Sequence, residues 1–324
     1  MRLLVTGSGG FVGGHFVDYV HAEQPGVEVH GVVLPHGGVS WRAASGARVL
    51  EADLNDPAAA AAVVEEVRPA AILHLAGQSS VHRSWADPAG TLRTNVLGIV
   101  HVLDAARRAG LRPAVLVVGS ADEYGPVPAS DQPLVETTPL RPASPYAVSK
   151  VAQAALALLY GPAGGMRVVV TRTFPHTGPG RGESFAESSF ARQIAEIEAG
   201  LREPVVEVGN LEAVRDFADV RDVVRAYDLL LEKGRGGEAY NVCSGRGRRI
   251  GDVLDRLLAA TKVAIEVRVD PARLRPADVP VLVGDNAKLV AATGWQPRIP
   301  FEATLGDLLD DWRARVRTAS ASPR

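Results

Sequence analysis

Gly7, Gly10 and Gly13 stand three residues apart between a short apolar run and an amphipathic segment, the order strand, glycine-rich turn, helix. Residues 2–6, Arg-Leu-Leu-Val-Thr, read as a buried strand, and Phe11, Val12, Phe16, Val17 and Val20 mark the apolar face of a helix. Glycines between the two let the backbone turn sharply and approach a diphosphate, which a helix N-terminus attracts. A glycine turn alone says little, because turns favour glycine anyway. Its place between a first strand and a first helix gives it weight, although the spacing Gly-x-x-Gly-x-x-Gly is not the plain Gly-x-Gly-x-x-Gly.

Strand-like runs follow at 27–33, 48–52, 70–75, 112–119 and 167–173, with helical patterns between them. Such alternation predicts a parallel sheet covered on both faces, a doubly wound Rossmann-type α/β fold. Ligands of these sheets bind beyond the carboxyl ends of the strands. Five segments fall there: Gly7–Gly13, Asp53-Leu54, Leu75-Ala76-Gly77, Ser120–Gly125 and Phe174–Gly180. Asp53 suits an adenine amino group and suits equally a helix cap ahead of Pro57. After residue 173 the alternation loosens, with helical patterns at about 185–199, 219–232, 250–260 and 302–316 and strand-like pieces at 205–208, 239–242 and 265–269. The expected division is a dinucleotide domain over 1–174, rejoined by about 210–242, and a smaller interleaved substrate lobe over 175–324.

A formal net charge of −2 gives no general nucleic-acid surface. The single cysteine, Cys243, excludes an internal disulfide framework and suits a cytoplasmic location. No apolar run approaches the roughly 20 residues that span a bilayer, and no charged-then-apolar leader precedes the first strand. The tail Thr318–Arg324 reads as frayed.

The sequence Tyr146-Ala-Val-Ser-Lys150 places a phenol and an ammonium one helical turn apart. Residues four apart share a helix face, and a nearby cation lowers a phenol's pKa. The expectation is a tyrosine able to exchange a proton near neutral pH. Lys150 is one of only four lysines, with Lys233, Lys262 and Lys288, in a chain that otherwise uses arginine. An ordinary surface Tyr/Lys pair is the competing reading. Ser120 closes the fifth strand, where its hydroxyl can meet a substrate oxygen.

Taken together, Thr6-Gly-x-Gly-Gly-Phe-x-Gly13, Asp53-Leu54, His74-Leu-Ala-Gly77, Asn95, Ser120 with Tyr124-Gly125, and Tyr146-x-x-x-Lys150 resemble the extended short-chain dehydrogenase/reductase family in order and spacing. The resemblance implies Ser120, Tyr146 and Lys150 as the catalytic group. It implies an NADP(H) or NAD(H) site formed by Gly7, Gly10, Phe11, Val12, Gly13, Asp53, Leu54, Leu75, Ala76, Gly77, Asn95, Tyr146, Lys150, Phe174 and His176. The second strand lacks a terminal acid to grip an NAD ribose, and Arg42 or His36 could attract a 2′-phosphate, which leans the expectation to NADPH. The helices expected over 88–108 and 144–160 imply a homodimer, since their counterparts pair in that family.

Substrate chemistry follows from the same comparison. Gly209-Asn-Leu and Arg215-Asp-Phe-Ala-Asp-Val-Arg-Asp222 resemble enzymes acting on GDP-linked mannose derivatives, and Tyr240–Gly245 and Arg273–Pro280 resemble the 4-keto-6-deoxymannose reductases among them. Arg215 and Arg275 would then clamp the substrate diphosphate, as arginine's planar fork allows; a structural pair of Arg215 with Asp216 or Asp219 is the alternative. Ser79, Ser120, Asp122, Glu123, Arg181 and Asn210 complete the expected substrate set. Dehydratases of the family carry acids directly after the catalytic hydroxyl, whereas this chain has Ala121 and then Asp122, a methylene shorter than the usual Glu. The implied activity is reduction of the C4 ketone of GDP-4-keto-6-deoxy-D-mannose to GDP-D-rhamnose. Dehydration of GDP-mannose, epimerisation of a nucleotide sugar, and non-catalytic NAD(P) sensing stand as alternatives. Pro175 replaces an asparagine common after the sixth strand, which removes one substrate contact. His74, His82 and His176 have no partners at ligand spacing, so no metal is expected.

Overall fold

A computed structural model describes residues 1–35, 46–274 and 279–321. Its centre is a seven-stranded sheet in which every pairing is parallel. In spatial order the strands are Ala239–Val242, Arg167–Thr173, Ala114–Ser120, Ala71–His74, Arg2–Thr6, Glu28–Val33 and Arg48–Glu51. Their apolar runs are near-continuous because both faces are covered. Helices Phe11–Glu23 and Val220–Lys233 pack on one face, burying Phe16, Val17, Val20, Val223, Tyr227 and Leu230. Helices Pro57–Val67, Gly98–Arg108 and Pro145–Gly164 cover the other through Val64, Ile99, Leu103 and Ala157. Each fully buried Leu, Ile or Phe side chain contributes about 1.5–3 kcal/mol.

The order of strands reverses beside Arg2–Thr6, so the carboxyl ends of the first, second and fourth strands open a crevice. The edge strand Ala239–Val242 joins the sheet from far along the chain. A separate cluster forms where helices Ala186–Glu198, Ile250–Ala259 and Phe301–Ala321 pack around Phe190, Ile194, Leu254, Leu305 and Leu309, with Val205–Val208 paired to Glu266–Val269. Among the described residues no helix is long and apolar enough to cross a membrane.

The helix expected over 88–108 is interrupted. It runs as Pro88–Leu92, a π-turn Arg93–Leu97, then Gly98–Arg108. The wider turn carries Asn95 into the interior, where its Oδ1 accepts from Gln78 N (2.7 Å) and its Nδ2 donates to Gln78 O (3.0 Å) and Ser149 Oγ (2.8 Å). A buried amide that satisfies a neighbouring loop explains the break better than any propensity of Arg93–Leu97.

Candidate active site

The glycine turn forms a bare cradle. Gly7 holds φ at +71°, a conformation glycine adopts without penalty, and its N–H donates to Val32 O at 2.9 Å. A Cβ on Gly13 would lie 2.4 Å from Gly7 O and 2.7 Å from Ser8 Cα. Helix Phe11–Glu23 therefore begins tight against the turn, with no side chain capping it and no acid in its first turn. A helix N-terminus with no side-chain cap and no competing anion suits a dinucleotide diphosphate. Gly13→Ala is expected to lower NAD(P)H affinity at least tenfold and to cost about 1–3 kcal/mol of stability through overpacking; fluorescence titration of the cofactor, alongside melting, checks both.

From this cradle a cleft of about 1100 Å³ runs past Asp53, Leu54, Leu75, Ala76 and Gly77 to Ser120, Tyr146 and Lys150. Phe11, Val12, Phe174 and His176 line the same stretch, and Ser79, Asp122, Arg181, Asn210 and Arg215 line its continuation. Asn95 is buried behind Gly77 rather than on the wall. Arg42, His36 and Arg275 lie outside the described residues.

Ser120 ends its strand and caps a short 3₁₀ turn, Ala121–Tyr124, with its Oγ accepting from Asp122 N at 3.2 Å. Tyr146 and Lys150 open helix Pro145–Gly164, which Ser144 caps through Ala147 N at 3.1 Å. The Ser120 and Tyr146 side chains line the cleft together, and Ser120 is near enough to act on the ionisation of the phenol. The Lys150 ammonium donates to Val118 O (2.9 Å) and Gln153 Oε1 (3.1 Å), 6.0 Å from the centre of the Tyr146 ring.

One electrostatic expectation is corrected. Burial, reinforced by the charge of Asp122, pushes the Tyr146 phenol above its ordinary pKa rather than below it. Lys150 is engaged with Val118 and Gln153 and does not offset this; burial instead lowers its own pKa to about 8. The phenol consequently stays protonated across the neutral range, the form that donates a proton. Glu123 is a second correction: it is 1% exposed, lies beneath Ser120 and does not line the cleft, so it is no substrate contact.

His74 and His176 each have one local partner, and His74 Nε2 is buried without one. His74 Nδ1 pairs with Thr6 Oγ1 at 2.8 Å and His176 Nδ1 with Phe174 O at 3.0 Å, and burial lowers each pKa to about 3. Among the described residues no group of three or more His, Cys, Asp or Glu could hold a metal ion.

Arg181 sits beside Glu187 (3.7 Å), its guanidinium 3.3 Å from the centre of the Phe185 ring and 5.0 Å from that of Phe11. Arg215 lines the cleft and donates to Val214 O at 2.9 Å, and the aspartates Asp216 and Asp219 have other partners. Asp216 accepts from Ser244 and Gly245, and Asp219 from Arg221 and Thr304. Pro175 lines the wall in place of the asparagine common at this point in the family, and its carbonyl accepts from Ala218 N at 3.0 Å.

Arg273, Glu207 and Tyr227 also line the cleft and were not foreseen. Arg273 stands two residues before Arg275 in the run already singled out, so that signal was present. Glu207 alternates with the buried Val206 and Val208 on one strand, and Tyr227 reaches Thr173 Oγ1 (2.8 Å) from the far face of the sheet.

Comparison with known proteins accounts for this geometry. A family model described as GDP-mannose 4,6 dehydratase matches residues 4–308. The chain belongs to that family, within the extended short-chain dehydrogenases/reductases. Within the family it is similar to the GDP-6-deoxy-D-mannose reductase of Pseudomonas aeruginosa, 39% identical over 98% of each chain. A dTDP-glucose 4,6-dehydratase of Streptomyces antibioticus is 33% identical over 97% of this chain and 92% of its own. Among solved structures, RMD from Pseudomonas aeruginosa complexed with NADPH superposes with a TM-score of 0.86 at 38% identity, covering 97% of this chain and 99% of that one. Thermus thermophilus UDP-glucose 4-epimerase complexed with NAD gives 0.85 at 32%, with the same coverage.

Proposed function

We propose that this family member reduces the C4 ketone of a GDP-linked 4-keto-6-deoxyhexose, with GDP-4-keto-6-deoxy-D-mannose as substrate and GDP-D-rhamnose as product. The observation that carries the reading is the neighbourhood of Ser120. Its side chain lies beside a protonated Tyr146 phenol, and of the two positions where dehydratases carry acids only the second, Asp122, holds one. Ala121 is apolar and buried, Glu123 is sealed below, and Asp122 is the short carboxylate. A misplacement of about 1 Å costs on the order of a hundredfold in rate. Ketone reduction requires only a proton donor on the substrate oxygen. Similarity to the Pseudomonas aeruginosa reductase over 98% of the chain supports the same reaction.

When bound, the nicotinamide supplies the hydride. Ser120 would hold the C4 oxygen by a hydrogen bond, and Tyr146 would deliver the proton as that oxygen becomes an alcohol. Lys150 would hold the nicotinamide ribose, and Arg215, with Arg275, the sugar diphosphate. NADPH is the favoured reductant, in keeping with the NADPH complex of a similar protein. The partly exposed Leu97, Val148 and Leu159 on the helices around 93–164 support pairing of two copies. Purified protein given GDP-4-keto-6-deoxy-mannose is expected to oxidise NADPH, one equivalent per ketone, and to leave GDP-mannose unchanged. Conversion of GDP-mannose to a ketone without added reductant would instead identify a dehydratase working through Asp122.

A further inference from the structure

Beneath Ser120 lies a charged residue that the reaction above does not use. Glu123 Oε1 accepts from Ser120 N at 2.8 Å, closing the reciprocal half of the cap that Ser120 makes on the 121–124 turn. The carboxylate occupies room that only a glycine leaves open, since a Cβ on Gly119 would stand 2.3 Å from Oε1. Its other oxygen faces Arg172 Nε at 3.5 Å, and Arg172 is itself tied to Tyr124 OH (3.1 Å) and Glu136 O (2.7 Å).

Among the described residues no carboxylate lies within ion-pair distance of Lys150. Its ammonium is buried and its two acceptors, Val118 O and Gln153 Oε1, are neutral. We propose that Glu123 is a positioning residue for this centre: its buried carboxylate fixes the turn that presents Ser120 and keeps the Lys150 ammonium charged. The inference rests on the reading of Ser120, Tyr146 and Lys150 as the reacting group.

The surrounding charges leave this role to Glu123. On the sheet, His74 is held neutral and Arg172 is a cation, which repels Lys150. On the same helix Tyr146 is a neutral phenol, as is Tyr227 from the helix behind. Asp122 and Glu123 act on Tyr146 from the turn, and Arg181 approaches it from the far wall. Of these groups, Glu123 is the one whose charge opposes the desolvation of Lys150. Burial also raises the Glu123 carboxyl to about 7, against the pull of Ser120 N–H, Arg172 and Lys150. The two buried charges therefore support one another.

With only four lysines in the chain, ¹³Cε-lysine labelling follows Lys150 directly in the ligand-free protein, with Lys150→Arg assigning the signal. The wild-type midpoint is expected near 8. Glu123→Gln, which keeps shape and can still accept from Ser120 N, is expected to lower it by about one pH unit. The alkaline limb of kcat/KM should fall by the same interval. A folded Glu123→Gln protein with an unmoved Lys150 midpoint overturns the proposal. If that variant does not fold, Glu123→Asp serves: a midpoint within a few tenths of wild type supports the charge account, and a fall of a full unit overturns it. A wild-type protein inert toward the 4-keto sugar, but with a Lys150 midpoint that moves in Glu123→Gln, would sink the substrate reading and leave this inference standing.

Discussion

Tyr146→Phe is expected to reduce kcat by about a thousandfold, within the range that a positioned general acid contributes. Cofactor binding and melting temperature should change little, because the ring still fills its buried site. The argument is geometric first: the phenol sits in the cleft beside Ser120, at the first turn of a helix whose start Ser144 and Pro145 define. It is electrostatic second. Burial holds the phenol protonated, so it can donate as charge develops on the ketone oxygen, and the variant has nothing to donate. Steady-state kinetics at neutral pH, with cofactor affinity measured separately, checks this. An unchanged kcat would remove Tyr146 from the reaction.

The largest effect on stability is expected at Asp216. Its buried carboxylate accepts from Ser244 N (2.8 Å), Ser244 Oγ (2.6 Å), Gly245 N (2.9 Å) and Gly284 N (3.3 Å). Three of these donors are backbone groups, in segments that follow the sheet's edge strand and precede helix Ala287–Thr293. Asp216→Ala leaves them without an acceptor, and hydrogen bonds to a charged group are each worth about 1.5–3 kcal/mol. Allowing for water entering the gap, a loss of about 3–5 kcal/mol is expected, or roughly 5–10 °C in melting temperature. Because Arg215 stands next to it, affinity for GDP should fall as well. Calorimetric melting and GDP titration test both; a loss under about 1 kcal/mol would mean the carboxylate is dispensable.

The nucleotide half of the fold was legible because its signals are local. Apolar runs such as Ala71–His74 and Val168–Val170 are bounded by turn residues, and the glycine turn requires no distant partner to be read. The Tyr146–Lys150 pair was legible for the same reason, since four-residue spacing fixes a shared helix face. What was not legible depends on depth. Nothing in Ser-Ala-Asp-Glu-Tyr says that Asp122 faces the cleft while Glu123 is sealed under it; that follows from room beneath Gly119 and from Arg172 on the next strand. The same depth reversed the expectation for the Tyr146 pKa, which the desolvating surroundings decide. The π-turn at Asn95 escaped periodicity because its cause is a hydrogen-bonding need of Gln78, in a different loop. The run Arg215–Asp222 mixes a cleft-lining arginine with three buried anchoring aspartates, Asp216, Asp219 and Asp222, and only their partners separate the two kinds.

The most direct test of the account follows one atom. Protein given GDP-4-keto-6-deoxy-mannose and NADPH deuterated on its transferable hydrogen should yield a 6-deoxy product with deuterium at C4 and none at C5, read by NMR, with NADPH consumed in equal amount. Deuterium absent from C4, or GDP-mannose converted to a 4-keto sugar with no net oxidation of NADPH, would contradict the reductase.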